Sequence, residues 1–220
     1  MAQNANPSID PANIDSVTGL LRHVIDKSTQ EMDGMLPAQV IAFNRDDPNR
    51  VQVQPLIMLV DTNGAQIQRG EIASIPVLQL GGGGFVLSFN LKAGDLGWIK
   101  ANDRDISIFL QSFKNSRPQT FRKKSFSDAV FIPDVMKGYT VDAEDLENAV
   151  IQSLDGAVKI SIGADKIKIK APTIEIQSDT ANIIADNLNI TSSAGVTVTT
   201  PLFRVVGEIN ASGNITPNVP

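Results

Sequence analysis

Lys166-Ile167-Lys168-Ile169-Lys170 and, beyond Ala171-Pro172, Thr173-Ile174-Glu175-Ile176-Gln177 alternate an aliphatic with a polar side chain. Successive strand residues point to opposite faces, so the isoleucines share one side and the lysines the other. The pattern returns at Leu188 and Ile190, at Val196 and Val198, and then at Val205 and Ile209. Apolar pairs thus recur roughly every seven to nine residues, divided by Ala, Asp, Asn, Ser, Gly and Pro. That period is too short for a helical solenoid and suits a β-helical stack. Phe203 is the only aromatic residue after Tyr139, so the tube is narrow and filled with small aliphatics. One chain cannot dry such a face, whereas three chains wound about a common axis pair every edge and cover every isoleucine. The expected trimer core is Ile160, Ile162, Ile167, Ile169, Ile174, Ile176, Leu188, Ile190, Val196 and Val198. A single-chain β-solenoid is the alternative, but its coils usually need about 20 residues or more.

The rest of the chain holds a different composition. With 220 residues there is room for one or two domains. The net charge of -5 argues against a nucleic-acid groove, and the local run Arg117, Arg122, Lys123, Lys124 reads as a solvated loop or a contact for an acidic partner. Cysteine is absent, so disulfides and thiolate metal sites are excluded and stability must come from packing and assembly. Met1 to Pro11 is polar, without the basic and apolar regions of a signal peptide, and no apolar run is long enough for a transmembrane helix. The expectation is a chain made in a cytoplasm and soluble there.

Val17, Leu20, Leu21, Val24 and Ile25 fall at helical spacing, with Asp15 or Ser16 to start a short helix and Gly34 to end it. From Met35 to Pro133 the pattern turns to β. Pro37 to Phe43 and Arg50 to Val60 read as strands joined by the turn Arg45 to Asn49, and Asn63-Gly64 marks another hairpin. Ile72 to Leu80, Phe85 to Phe89, Asp95 to Lys100 and Ile106 to Phe113 read as further strands. Short strands closed by Gly and Asp turns fit a small barrel with a core of its own, since Trp98 and most phenylalanines lie here. Asp134 to Asn148 reads as a bridge whose acidic run, Asp142, Glu144, Asp145 and Glu147, is a solvated face.

The apparent chemical motifs do not mature. Gly81 to Gly84 leads into Phe85-Val86-Leu87, a strand, whereas a phosphate loop requires a helix with Lys and Ser or Thr, so the glycines read as a turn. Asp103 and Asp105 flank Arg104 and could face one side as hard-cation ligands, but a metal held by oxygen needs about six donors. A hydrolase built on this pair is therefore a minor alternative, and a turn explains both residues. His23 is the sole histidine and has no thiol or second imidazole to work with, so it reads as a packing or surface residue. No enzyme, cofactor or metal is expected.

Gly94-Asp95-Leu96-Gly97-Trp98, leading to Asp103-Arg104-Asp105-Ile106 and preceded by Ile75-Pro76-Val77 and the glycine run, resembles the N-terminal domain of contractile-tail phage spike proteins. These form the baseplate assembly protein V and membrane-piercing central spike group. Val51-Gln52-Val53-Gln54-Pro55 looks like that domain's second strand, and Ser127-Asp128-Ala129-Val130-Phe131-Ile132-Pro133 resembles its closing segment. With the repeat and its ending at Gly207 to Gly213, the resemblance covers most of the chain.

The resemblance implies a mainly β homotrimer. Its parts would be an N-terminal arm and helix (1–34), an OB-type five-stranded barrel (35–133), a linker (134–154) and an intertwined trimeric β-helix (155–220). The barrels would sit on a baseplate hub protein at the end of the tail tube, plugging it. The rod would meet the bacterial outer membrane and pierce it mechanically, which places the protein in the virion. Many members of the group end in a His-x-His iron apex. No histidine follows His23, so the expectation leans to a separate spike-tip protein over a metal-free closed point. Some members insert a lysozyme before the rod, for which the bridge is too short. A trimeric receptor-binding or fibre protein that recognises host glycan is the competing reading, but the outward Lys, Thr, Asn and Gln residues of the repeat lack the aromatic rings of a sugar groove.

Overall fold

The computed structural model describes residues 16–30, 32–43, 49–61, 63–210 and 212. Met1 to Pro11, the Asp15 cap, most of the turn Arg45 to Asn49 and the final residues Gly213 to Pro220 lie outside them. The chain divides into two units, Met1–Pro172 and Thr173–Pro220.

In the first unit α1 spans Val17–Gln30. The Ser16 hydroxyl accepts a hydrogen bond from the Gly19 N–H at 2.9 Å and so caps its first turn. The helix ends before Gly34, whose carbonyl instead accepts a hydrogen bond from the Ala101 N–H at 3.0 Å. The stripe Val17, Leu20, Leu21, Val24 and Ile25 is exposed, and His23 is half-buried beside it.

Five strands, β1 (Met35–Phe43), β2 (Arg50–Pro55), β5 (Ile72–Pro76), β8 (Leu96–Asn102) and β9 (Ser125–Pro133), form a sheet in the order β5-β2-β1-β8-β9. All four pairings are antiparallel. The sheet curls until its edges meet. Val77, just past β5, bridges Phe131 of β9 in parallel, and the Leu78 N–H donates to the Phe131 carbonyl at 2.8 Å. The result is a nearly closed five-stranded barrel. Alternation fills it: Ala38 and Val40, Val51 and Val53, and Ile99 and Ala101 point inward in pairs, joined by Ile75, Val77, Leu91, Phe126, Ala129 and Phe131. A bulge between Val40 and Ala42 bends β1 where it passes β2.

Gly97 is where two strands come closest. A Cβ there would lie 2.4 Å from the Ile132 carbonyl oxygen and 2.4 Å from the ring of fully buried Phe131. Neither can yield, because one is ladder backbone and the other is the centre of the core. Gly97→Ala is therefore expected to cost about 1–3 kcal/mol, the usual range for an overpacked core, read as a lower thermal midpoint.

Two small hairpins leave the barrel, β3 (Leu59–Val60) with β4 (Gln66–Ile67), and β6 (Leu80–Gly82) with β7 (Phe85–Leu87). Gly83 and Gly84 join β6 to β7 with φ of 60° and 86°, the two positive values that a type I′ turn requires. The glycine run is thus a turn, as its sequence context suggests.

Ile106 to Phe113 is not a strand. Residues Ser107–Ser112 form the short helix α2, with the Phe109 and Phe113 rings edge to face at 5.8 Å. The cause is buried Asp105. One carboxylate oxygen accepts the Ser107 N–H at 2.9 Å and its hydroxyl at 2.6 Å, and the other accepts the Thr120 N–H at 3.0 Å and hydroxyl at 2.7 Å. These bonds turn the chain immediately after β8, so the strand-like alternation of Ile106, Ile108 and Leu110 is overridden.

Beyond the barrel, β10 (Ala149–Gln152), β11 (Lys159–Ile162) and β12 (Ile167–Lys170) make a second antiparallel sheet. Strand β10 lies within the stretch expected to be linker. In the second unit none of the described residues pairs in a strand, and all are exposed.

Candidate functional site

The three-stranded sheet has two unlike faces. Ile160 stands opposite both Ile151 and Ile169, and Ile162 opposite Ala149 and Ile167. Because i and i+2 share a side, these six residues form one continuous aliphatic face. It is uncovered: Ile160 and Ile162 are 41% and 47% exposed, Ile169 and Ile167 57% and 69%.

The opposite face is largely polar and partly covered. A single 3-10 turn, Ala143–Asp145, lies over it and buries Asp145, Lys159 and Ser161 almost completely. Lys159 Nζ donates to the carboxylates of both Asp142 and Asp145. Ser161 Oγ donates to Asp145 Oδ1 at 2.7 Å, and Asn148 Nδ2 donates to the same oxygen at 3.2 Å and to Ser161 Oγ at 2.9 Å. Lys168 Nζ reaches Glu144 at 2.6 Å and Asp145 at 3.4 Å. Asp142, Glu144 and Asp145 are the three carboxylates that converge among the described residues, and two lysine ammoniums offset two of their three charges.

This corrects the reading of the acidic run as a solvated face at Asp145, while Glu144 and Glu147 are exposed as that reading has them. Asp145 is an internal anchor, and Lys168 pairs with Glu144 across the same face. The signal lay fourteen residues on, where Lys159, Ser161 and Lys168 occupy the polar side of strands whose other side is isoleucine.

The hydrogen bond from Lys159, with those from Ser161 and Lys168, holds the Asp145 carboxyl well below its ordinary 3.8 against the opposing effect of burial. Lys159 is raised above 10.5 by its bonds to Asp142 and Asp145. The depressed aspartate contributes stability that is complete above 3.8 and vanishes as pH falls through the lowered value. The raised lysine contributes stability that is complete below 10.5 and vanishes as pH climbs through the raised one. The network should therefore be indifferent to pH between about 5 and 9. Thermal midpoints of the native chain and Asp145→Asn are expected to differ by a constant amount over that range and to converge under more acidic conditions.

The other expected sites are differently placed. Ile174, Ile176, Leu188, Ile190, Val196 and Val198, in the second unit, are all more than half exposed and unpaired in any strand. Asp103 is exposed while Asp105 is buried, so the pair does not converge. Asp105 is held well below the usual carboxylate range, first by Ser107 and then by Thr120 and Arg122. Arg122 leaves the basic run to clamp this loop, gripping Asp128 through Nε at 3.1 Å and Nη2 at 3.2 Å and reaching Asp105 at 3.4 Å. An apolar hollow of about 640 Å³ lies between Phe89, Leu91, Val135, Tyr139 and Leu154. Its acids are already engaged, Asp134 by the Trp98 indole N–H at 2.7 Å and Asp95 by the Lys92 N–H at 2.7 Å.

Residues 36–134 match the family described as the phage protein Gp138 N-terminal domain. The match begins in β1 and ends one residue past β9, so it coincides with the barrel. No curated protein matches the chain. The resemblance to phage spike proteins is thereby borne out at the level of a phage structural-protein domain.

Proposed function

We propose, with a phage structural domain at residues 36–134 as the premise, that this chain is the central spike of a contractile-tail baseplate. Three copies assemble about one axis, with OB-type barrels on the hub at the end of the tail tube and an intertwined β-helical rod directed at the host outer membrane. The barrel's strand order and parallel seam support the OB-type assignment. The role is mechanical rather than catalytic: the protein plugs the tube and transmits the thrust of sheath contraction, and a separate tip protein completes the point. It resides in the virion.

The observation that carries this reading is the bare aliphatic face of β10, β11 and β12, continued by an exposed isoleucine in nearly every later repeat. A lone chain in water would keep that surface wet at a cost of about 25 cal/mol per Å². Neighbouring copies remove it and supply partners for the unpaired backbone of the second unit. Light scattering coupled to size exclusion tests the assembly. A native mass near three times 23.6 kDa with early elution is the expected result. A compact monomer would remove the rod and the mechanical role together, and binding of the purified protein to host glycan would favour a receptor-binding fibre.

A further inference from the structure

Two excursions from the barrel are apolar, uncharged and uncovered. From Leu78 to Asn90, a stretch that includes β6 and β7, there is no ionisable side chain, and Leu80, Phe85, Val86, Leu87 and Phe89 are exposed, Phe85 to 84%. Pro55 to Val60 is equally free of charge, and Leu56, Ile57, Met58 and Leu59 are between 42% and 51% exposed. In a chain where 20% of residues are charged, such runs mark surfaces that meet something other than water.

Their placement selects the partner. Strands β2 and β5 are antiparallel, with Arg50 opposite Pro76. The first excursion follows the Pro55 end of β2 and the second follows the Pro76 end of β5, so they leave the barrel at opposite ends. Patches at opposite ends cannot pair within one copy. They can meet head to tail between copies, and a head-to-tail contact repeated around a ring covers every patch. A contact of hairpin on hairpin, whether in twos or about a threefold axis, would leave the Leu56–Val60 strips uncovered.

We infer that the β6–β7 hairpin of one copy packs on the Leu56–Val60 strip of the next, closing the barrels into a ring. The inference rests on the three-copy reading and adds to it a contact separate from the β10–β12 face. Charge supports the match. Exposed Phe113 and Phe121 are instead flanked in the chain by Lys114 and by Lys123 and Lys124, and an uncharged hairpin laid on either would bury ammonium groups. The strip carries no such penalty. Phe85, 84% exposed, and Phe89, about half exposed, with Leu80, Val86 and Leu87 beside them, supply part of the roughly 800 Å² per partner of a standard specific contact.

The absence of cysteine makes the test clean. Leu59→Cys and Val86→Cys are introduced singly and together, with Ile57→Cys and Phe85→Cys as a second pair, and the full chain is oxidised mildly. Each double variant should yield covalent species of up to three copies on a non-reducing gel. Mixed single variants should stop at two copies, and each single variant alone should remain uncrosslinked. A native mass of three copies without cross-links in either pair overturns the contact while leaving the three-copy reading intact. Cross-linked dimers from a single variant also overturn it, since they mean like patches meet. A monomeric native mass overturns both.

Discussion

Ile169→Asp is expected to leave the protein at a native mass near 23.6 kDa instead of three times that value. Ile169 lies in the middle of the aliphatic face, opposite Ile160, which in turn stands opposite Ile151. In a three-copy rod the substitution brings three carboxylates towards one axis, with no cation on that face to meet them. An unpaired buried charge costs several kcal/mol after relaxation, and here the cost recurs in each copy. In the separated chain the same aspartate is solvated, because the position is more than half exposed. Dissociation is therefore the route by which the variant relaxes, and the barrel core, drawn from residues 38–131, is untouched. Ile169→Val, which keeps the shape, should assemble normally. Light scattering with amide hydrogen exchange over β1, β2, β8 and β9 reads both parts of the result. An assembled Ile169→Asp would place this face outside the contact.

Asp145→Ala should be the most damaging polar substitution outside the barrel. It removes the acceptor shared by Lys159, Ser161, Asn148 and Lys168 at once. Lys159, 2% exposed, would keep Asp142 as its close partner but lose the one that is buried with it. The sheet should open locally, with faster amide exchange in β10, β11 and β12 and no change in the barrel ladder. Replacing both members, Asp145→Leu with Lys159→Met, should recover much of the loss, because a buried ion pair exchanged for apolar groups of like size is often neutral. Lys168→Glu should open the sheet as well, by setting a third acid beside Glu144 and Asp145. Unchanged exchange in Asp145→Ala would mean the turn is an ornament on a sheet held by other forces.

Local pattern carried the barrel. Val51 and Val53, or Ala38 and Val40, need only their own alternation to declare which side is inside, and Gly83-Gly84 needs only its own backbone freedom to declare a turn. Where the deciding partner was remote, pattern failed. Asp105 turns the chain into α2 through Ser107, but its other oxygen is held by Thr120, fifteen residues away, and no window over Ile106 to Leu110 contains that second anchor. Asp145 is indistinguishable from a surface acid until Lys159 folds over it. The isoleucines of the second sheet are a third kind of case. The sequence names them as one side of a strand, and the fold of the single chain adds that nothing within its own sheet covers them.

If three copies cover that bare face, as proposed, the making of the protein divides into two kinetic orders. The barrel buries residues of one chain against one another, so it forms at a rate set by the chain alone. Burial of the isoleucines by neighbouring copies requires encounter, and subunit assembly is slow and depends on concentration. Dilution should therefore stall the second event and spare the first, leaving a population with finished barrels and unfinished rods, whose lifetime is set by how many chains are made close together.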